Sequence, residues 1–133
     1  TSHGVGPDPQ VVILDPSRKI DKQYTAFKEN TIHFTDELSN SNPEKNIQKI
    51  LSKLYSLNIQ SVLVEGGAKT LTGFIDSGSF DEIHAYFAPK LIGEGISIYN
   101  SKKKIADSLN LDIVKHETFD NDIKITYYNK KAK

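Results

Sequence analysis

The chain has 133 residues, of which 37% are hydrophobic and 26% charged, a composition typical of one folded domain rather than of a disordered or collagen-like chain. Lys and Arg together number 17, as do Asp and Glu, so the net charge gives no long-range attraction to nucleic acid or to an anionic membrane. The absence of cysteine excludes a disulfide framework, a thiolate nucleophile and a Cys-based zinc site. No apolar run reaches the roughly 20 residues of a membrane helix. The lack of cysteine is compatible with a reducing compartment, and we expect a cytoplasmic protein.

Two strands are predicted in the first third of the chain. Residues 11–14 are apolar and mostly β-branched, and the Asp-Pro-Ser turn that follows is typical of the end of a strand buried on both faces. Residues 31–35 alternate polar and apolar side chains, which predicts a strand with one covered face.

A helix is predicted to begin at Asn42, because an N-cap residue is followed by a proline and an acid in the first turn. Apolar residues then recur at steps of three and four and form one stripe, which consists of Ile47, Ile50, Leu51, Leu54 and Leu57. The helix is expected to end at Asn58, a residue type that adopts the left-handed conformation.

The middle of the chain predicts a strand, a glycine turn and a second helix. Residues 61–64 form a short apolar run, residues 65–67 read Glu-Gly-Gly, and an amphipathic stretch then ends near Gly78. A helix that begins directly after a strand presents backbone N–H groups and a partial positive charge, which favour a phosphate. A glycine pair at this place is also common in simple turns. Glu65 is either a substrate acceptor in a cleft or a capped or ion-paired acid at its rim.

The last part of the chain predicts a strand at 83–88, a loop broken by Pro89, and a hairpin of residues 111–119 and 123–128. Strands joined by helical crossovers imply an α/β fold. We expect a three-layer sandwich with a mostly parallel mixed sheet, helices on both faces and a C-terminal antiparallel hairpin.

Metal and nucleic-acid sites are not indicated by the remaining polar residues. The histidines lack metal-ligand spacing and are assigned structural or surface roles; they are His3, His33, His84 and His116. The lysines at 102–104 are typical of a solvated turn.

Three segments together resemble a known family. They are residues 62–68 (Val-Leu-Val-Glu-Gly-Gly-Ala), residues 74–78 (Phe-Ile-Asp-Ser-Gly) and residues 81–93, the last of which contains Ala-Pro-Lys-Leu. They resemble the reductase domain of the bifunctional riboflavin-biosynthesis deaminase/reductase, whose fold is similar to dihydrofolate reductase. The resemblance runs in register from about residue 11 to residue 128. It implies hydride transfer from NADPH to the ribose C1′ of 5-amino-6-(5-phosphoribosylamino)uracil, which gives the ribitylamino product.

The resemblance implies specific site residues. Glu65 would contact the substrate, and we assign no catalytic acid and no metal ligand. The family's small polar residue after the strand-ending aspartate is replaced by Pro16, which leaves Ser17, Arg18 or Lys19 to contact a 2′-phosphate. The predicted cofactor-binding residues are Gly66, Gly67, Ala68, Lys69, Thr70, Leu71, Thr72, Gly73 and Ser17.

The family's earlier strand, with a Ser-Leu-Asp-Gly-like motif, is not recognisable here. We therefore expect residues 1–133 to be a single, truncated reductase domain, with 1–8 a tag or a remnant of an upstream segment. The complete protein is expected to be an enzyme and a homodimer, and this piece alone inactive or impaired. Two alternatives stay open: a non-catalytic nucleotide-binding or assembly module of the same fold, and a dihydrofolate-reductase-like enzyme with another pterin or pyrimidine substrate.

Overall fold

A computed structural model describes residues 8–21, 23–24, 30–36, 38, 42–104 and 107–130. It divides into two compact units, Thr1–Asn58 and Ile59–Lys133. The segment expected to be a tag or remnant lies outside the described residues apart from residue 8. The elements in chain order are β1 (Val12–Leu14), β2 (Ile32–Phe34), α1 (Pro43–Ser56), α2 (Ala68–Asp76), β3 (Glu82–Phe87), β4 (Leu111–Phe119) and β5 (Asp122–Asn129).

No helix within the described ranges is both long and apolar enough to cross a membrane.

The first unit contains a parallel pair of strands, β1 and β2, in which Val12 lies opposite Ile32 and Leu14 opposite Phe34. The Asp15 N–H continues this pairing by donating to the Phe34 carbonyl oxygen at 2.9 Å. Both predicted strands and their parallel direction are confirmed. The side chains of β1 are half-buried rather than fully buried.

Helix α1 begins and ends at the predicted signals. The Asn42 side chain accepts a hydrogen bond from the Lys45 N–H at 3.0 Å, which satisfies one of the free donors of the first turn. After the helix, Asn58 adopts a φ of 61° and its N–H donates to the Tyr55 carbonyl oxygen at 2.9 Å. Most of the predicted stripe is covered, and the buried apolar residues of this unit are Phe34, Leu38, Ile47, Ile50 and Leu54.

The second unit contains α2 and a three-stranded antiparallel sheet in the order β3-β5-β4. Glu82 lies opposite Tyr128 at one end of the β3-β5 pair, and Phe87 lies opposite Ile123 at the other. The hairpin between β4 and β5 turns at Asp120, which has a φ of 51°. Gly78, with a φ of 67°, follows α2 and allows the chain to turn toward β3. The predicted hairpin and the end of the second helix are confirmed.

Residues 61–64 differ from the prediction. They belong to neither sheet, and the side chains of Val62 and Leu63 are 41% and 80% exposed. An apolar run forms a strand only when a neighbour supplies hydrogen bonds, and no described strand pairs with this one. The strand prediction at 61–64 is therefore wrong for this structure.

The α/β class is confirmed, while the sheet is more antiparallel than expected. The described strands make one parallel pair and two antiparallel pairs, in two separate sheets. The expected parallel character is thus limited to the first unit.

Asn129, at the end of β5, anchors the turn between α2 and β3. It is 3% exposed, and its N–H donates to the Asp81 carbonyl oxygen at 2.9 Å. Its side-chain amide donates to the carbonyl oxygens of Gly78 and Phe80 at 3.3 and 3.0 Å. Because these bonds join the sheet to the end of α2, they help to hold the helix that carries the glycine turn.

Candidate cofactor and substrate site

The glycine turn leads directly into α2, and its backbone is accessible. Gly67 is the N-cap residue, with φ −75° and ψ 169°, and no described side chain caps the helix there. The N–H groups of Thr70 and Leu71 bond back to the Gly67 carbonyl oxygen at 3.0 and 3.2 Å. The N–H groups of Ala68 and Lys69 come before them, at the start of a helix that has no acid in its first turn. Such an end carries a partial positive charge and favours an anion.

The two glycines of the turn have different surroundings. A Cβ atom built on Gly67 would meet no atom within 4 Å, so a ligand has room to approach this backbone. A Cβ atom on Gly66 would lie 3.4 Å from the Cβ atom of Thr70, in ordinary contact with the first turn. The open position is therefore Gly67, next to the uncapped N–H groups.

Glu65 precedes the glycines and is exposed. This exposure is compatible with both interpretations of Glu65 from the sequence, a substrate acceptor in a cleft and an acid at its rim. The residue is exposed, so a substrate N–H or O–H group has access to it. Its predicted role in substrate binding stays a prediction.

The remaining predicted residues on α2 fall into two groups. Lys69 is exposed, while Ala68, Thr70 and Leu71 are half-buried in the first turns. Further along, Gly73 is buried and the Thr72 hydroxyl oxygen accepts a hydrogen bond from the Asn100 N–H at 2.9 Å. The structure thus gives Thr72 a contact within the protein, and a cofactor role for these residues stays a prediction.

Asp76, the last residue of α2, binds a segment that the sequence did not connect to the site. Its carboxylate accepts hydrogen bonds from the Tyr99 hydroxyl and the Ser101 hydroxyl, each at 2.8 Å. The Lys103 ammonium donates to the Asp76 carbonyl oxygen at 2.7 Å and lies 3.7 Å from its carboxylate. Such donors stabilise an acid at the negative end of a helix dipole, and the place of Asp76 at the helix end was a signal from which a partner could have been predicted.

Ser17 lies in the first unit, on the loop after β1, and is exposed. The Asp15 carboxylate organises this loop by accepting the N–H groups of Lys19 and Ile20, both at 2.9 Å. The Ile20 N–H bond, with help from Lys19 and nearby His33, lowers the pKa of Asp15 despite its burial. The loop that carries Ser17 is therefore held from inside by a charged carboxylate.

Two of the three histidines in the described part of the chain lie beside acids. His33 Nε2 lies 3.7 Å from a carboxylate oxygen of Asp15, and His84 Nε2 lies 3.0 Å from one of Glu82. Within the described ranges, no group of three or more His, Asp or Glu side chains is placed to hold a metal ion. His3 lies outside those ranges.

Comparison with known proteins identifies the family. The family model of the RibD C-terminal domain matches residues 2–125. The riboflavin biosynthesis protein RibD of Aquifex aeolicus is 41% identical over 83 residues, which are 62% of this chain and 23% of that protein. RibD of Corynebacterium ammoniagenes is 46% identical over 52 residues, which are 39% of this chain and 15% of that protein.

Solved structures agree with this match. A diaminohydroxyphosphoribosylaminopyrimidine deaminase/5-amino-6-(5-phosphoribosylamino)uracil reductase of Thermotoga maritima has a TM-score of 0.76 and 27% identity, with 93% of this chain and 38% of that chain covered. RibD of Acinetobacter baumannii has the same fold, with a TM-score of 0.71 at 24% identity and with 90% of this chain and 37% of that chain covered. The chain spans less than two fifths of the length of these relatives. Because the family model matches most of the sequence, the chain belongs to the RibD C-terminal domain family, and the resemblance to the riboflavin-biosynthesis reductase domain is confirmed.

Proposed function

We propose that this chain supplies the cofactor-binding part of an oxidoreductase that uses NADPH to reduce 5-amino-6-(5-phosphoribosylamino)uracil in riboflavin biosynthesis. The observation that carries the proposal is the uncapped start of α2 beside the open Gly67 position, in a chain of this family. The Thermotoga maritima relative is named as a reductase of the same uracil compound, which supports the choice of substrate.

The residues at the start of α2 fit a dinucleotide phosphate group. The N–H groups after Gly67 offer donors without a competing side-chain cap, and the exposed Lys69 offers a positive charge beside them. Gly67 leaves space for phosphate oxygens to approach the backbone. Ser17, on the loop after β1, is proposed to contact the adenosine side. When bound, the nicotinamide would supply the hydride, so the chain's own task is to bind and orient.

Glu65 is proposed to hold the substrate. Its exposed carboxylate is the neighbour of the glycine turn in sequence, so a substrate that donates a hydrogen bond to it would lie close to the phosphate-binding backbone. A charged hydrogen bond of this kind selects a donor group on the substrate and fixes its orientation. We assign the chain no group that transfers a proton.

The experiment is a binding and turnover measurement on the natural full-length protein. NADPH should bind with a saturable signal, and addition of the phosphoribosylamino-uracil should consume the absorbance of the reduced nicotinamide. Other pterin and pyrimidine compounds serve as controls for the substrate. Absence of NADPH binding together with absence of turnover would refute the proposal. Turnover of a pterin but not of the uracil compound would show that the proposed substrate is wrong.

The homodimer and the cytoplasmic location expected from the sequence stay proposals. Support for self-association comes from apolar side chains that are strongly exposed in the second unit, among them Leu91, Ile92 and Ile96. Light scattering of the full-length protein at several concentrations tests the dimer, and a constant monomer mass would refute it.

A further inference from the structure

The connection between β3 and β4 is tied to the second unit at two places and is free of such ties between them. Directly after β3, the Lys90 N–H donates to the Ala88 carbonyl oxygen at 2.8 Å. Further along, the Tyr99 hydroxyl donates to the carboxylate of Asp76, the last residue of α2. Within the described ranges, no hydrogen bond joins residues 91–96 to another residue. A segment with so few restraints moves at a low cost in free energy.

This middle part of the connection carries strongly exposed apolar side chains. Leu91, Ile92 and Ile96 are 106%, 80% and 91% exposed. Cβ atoms built on Gly93 and Gly95 would meet no atom within 4 Å, so the backbone beside these side chains also has open space. Apolar side chains with this exposure gain free energy when another surface covers them. The segment therefore combines few restraints with side chains that gain from being covered.

The connection starts at the end of β3 that is remote from the C-terminal end of α2. Asn129 donates to the carbonyl oxygens of Gly78, which follows α2, and of Asp81, which precedes β3, so β3 begins beside that helix end. β4 begins there as well, because Leu111 lies opposite Asn129. The connection must therefore leave from the opposite end of β3 and return to the start of β4.

On its return, the connection runs along α2. The Ser101 hydroxyl donates to the Asp76 carboxylate at the end of the helix. The Asn100 N–H donates to the Thr72 hydroxyl oxygen, about one turn nearer to the glycine turn. Followed backward, the chain thus moves along α2 from its end toward its start. This order directs the preceding residues 91–98 toward the glycine turn.

We propose that residues 89–98 form a lid that closes over the substrate when the substrate joins the cofactor. In the closed state, Leu91, Ile92 and Ile96 pack against the planar uracil ring and the nicotinamide. The proposal rests on the proposed NADPH-dependent function and adds a moving part to its site. Closure removes water from the place of hydride transfer and covers side chains that are exposed in the open state. Because the lid acts on the complex with substrate, binding of NADPH alone does not depend on it.

The test is hydrogen exchange followed by mass spectrometry on the natural full-length protein. It compares three states, namely the free protein, the protein with NADPH, and the protein with NADP⁺ and the phosphoribosylamino-uracil, a pair that binds without reacting. The amides of residues 91–98 should exchange about tenfold more slowly in the third state than in the other two. The exposed hairpin turn at residues 120–121 is the internal reference and should exchange at the same rate in all three states.

The double variant Leu91→Ser/Ile92→Ser tests the apolar contact. Both side chains are exposed, so the variant should unfold at the temperature of the wild type and bind NADPH with a dissociation constant within about twofold. Its kcat/KM for the uracil compound should fall about tenfold or more, because the apolar cover is lost. Leu91→Met/Ile92→Val keeps an apolar surface and should retain kcat/KM within about threefold. Ile113→Ser, at a side chain of β4 that is 65% exposed, is the matched control and should leave kcat/KM unchanged.

Slower exchange in the third state together with a lower kcat/KM of the serine variant would support the lid. Exchange that does not slow there, or an unchanged kcat/KM of the serine variant, overturns the lid, while NADPH binding and turnover by the wild type keep the proposed function. Slow exchange of residues 91–98 in the free protein that depends on protein concentration would assign this surface to self-association and would also overturn the lid. Failure of the wild type to bind NADPH refutes the proposed function and the lid with it.

Discussion

The Tyr99 hydroxyl donates a hydrogen bond of 2.8 Å to the Asp76 carboxylate, across 23 positions of the chain. Asp76 ends α2, so this bond attaches the segment around residues 99–103 to the helix whose other end carries the glycine turn. Asp76→Ala should lower the free energy of unfolding by about 1–3 kcal/mol, because two hydroxyls lose their charged acceptor. Urea unfolding measures the change, with Tyr99→Phe as a control that removes only one of the bonds and should cost less. Equal stability of Asp76→Ala and the wild type would show that the segment is not held by this residue.

Gly67→Ala should impair cofactor binding more than folding. The new methyl group has open space in the protein and a φ of −75° is acceptable to alanine, so stability should fall by less than about 1 kcal/mol. The methyl group would occupy the space proposed for phosphate oxygens, and NADPH affinity should fall about tenfold or more. Calorimetric titration checks this. Gly95→Ala is the matched control, since its added Cβ also meets no atom within 4 Å. Similar affinities of the two variants would contradict the proposed phosphate site.

Glu65→Gln should reduce use of the substrate while cofactor binding stays the same. The residue is exposed, so the variant should unfold at the same temperature as the wild type. Loss of a charged hydrogen bond to substrate should lower kcat/KM about tenfold to a hundredfold. Steady-state kinetics and an NADPH titration on the full-length protein separate the two effects. An unchanged kcat/KM would remove Glu65 from the substrate site.

Asn129→Ala should destabilise the second unit. The substitution leaves the carbonyl oxygens of Gly78 and Phe80 without their side-chain donor at a residue that is 3% exposed, and the expected cost is about 1–3 kcal/mol. Thermal unfolding followed by circular dichroism measures it. The exposed Asn110 provides the comparison, because Asn110→Ala should change stability by less than about 0.5 kcal/mol. If both variants lose the same small amount, Asn129 does not anchor the turn.

The Asp15 carboxylate predicts a specific dependence of stability on pH. The backbone N–H bond from Ile20, followed by the Lys19 N–H and nearby His33, lowers its pKa from the ordinary value of 3.8, so the folded state favours the charged form. Its contribution to stability is therefore complete above that value and is lost as the pH falls below about 4 toward the folded-state pKa. The stability difference between wild type and Asp15→Asn, measured by urea unfolding at several pH values, should shrink as the pH falls from about 5 to about 3, to the extent that the folded wild type persists there. A difference that grows as the pH falls would contradict this assignment.

Local signals in the sequence determined the ends of several elements. Asn42 caps α1 through its own side chain, and Asn58 and Gly78 adopt the left-handed conformation after the two helices. Each of these features depends on the residue and its immediate neighbours, so the residue type suffices to predict it. The order and spacing of the family-like segments around the glycine turn likewise sufficed to identify the family, because a family model compares residues along the chain.

The tertiary structure decided which of these segments obtain partners. Residues 61–64 have the composition of a strand but pair with no described strand, and Glu65 after them is exposed. Asp76 accepts a hydrogen bond from Tyr99. Asn129 donates one to the carbonyl oxygen of Gly78, 51 positions away. The periodicity of a sequence reports which side of an element is apolar, but not which distant residue will lie against it. Hydrogen bonds between distant residues form only when the chain folds, and in this protein they hold the C-terminal end of α2 in place.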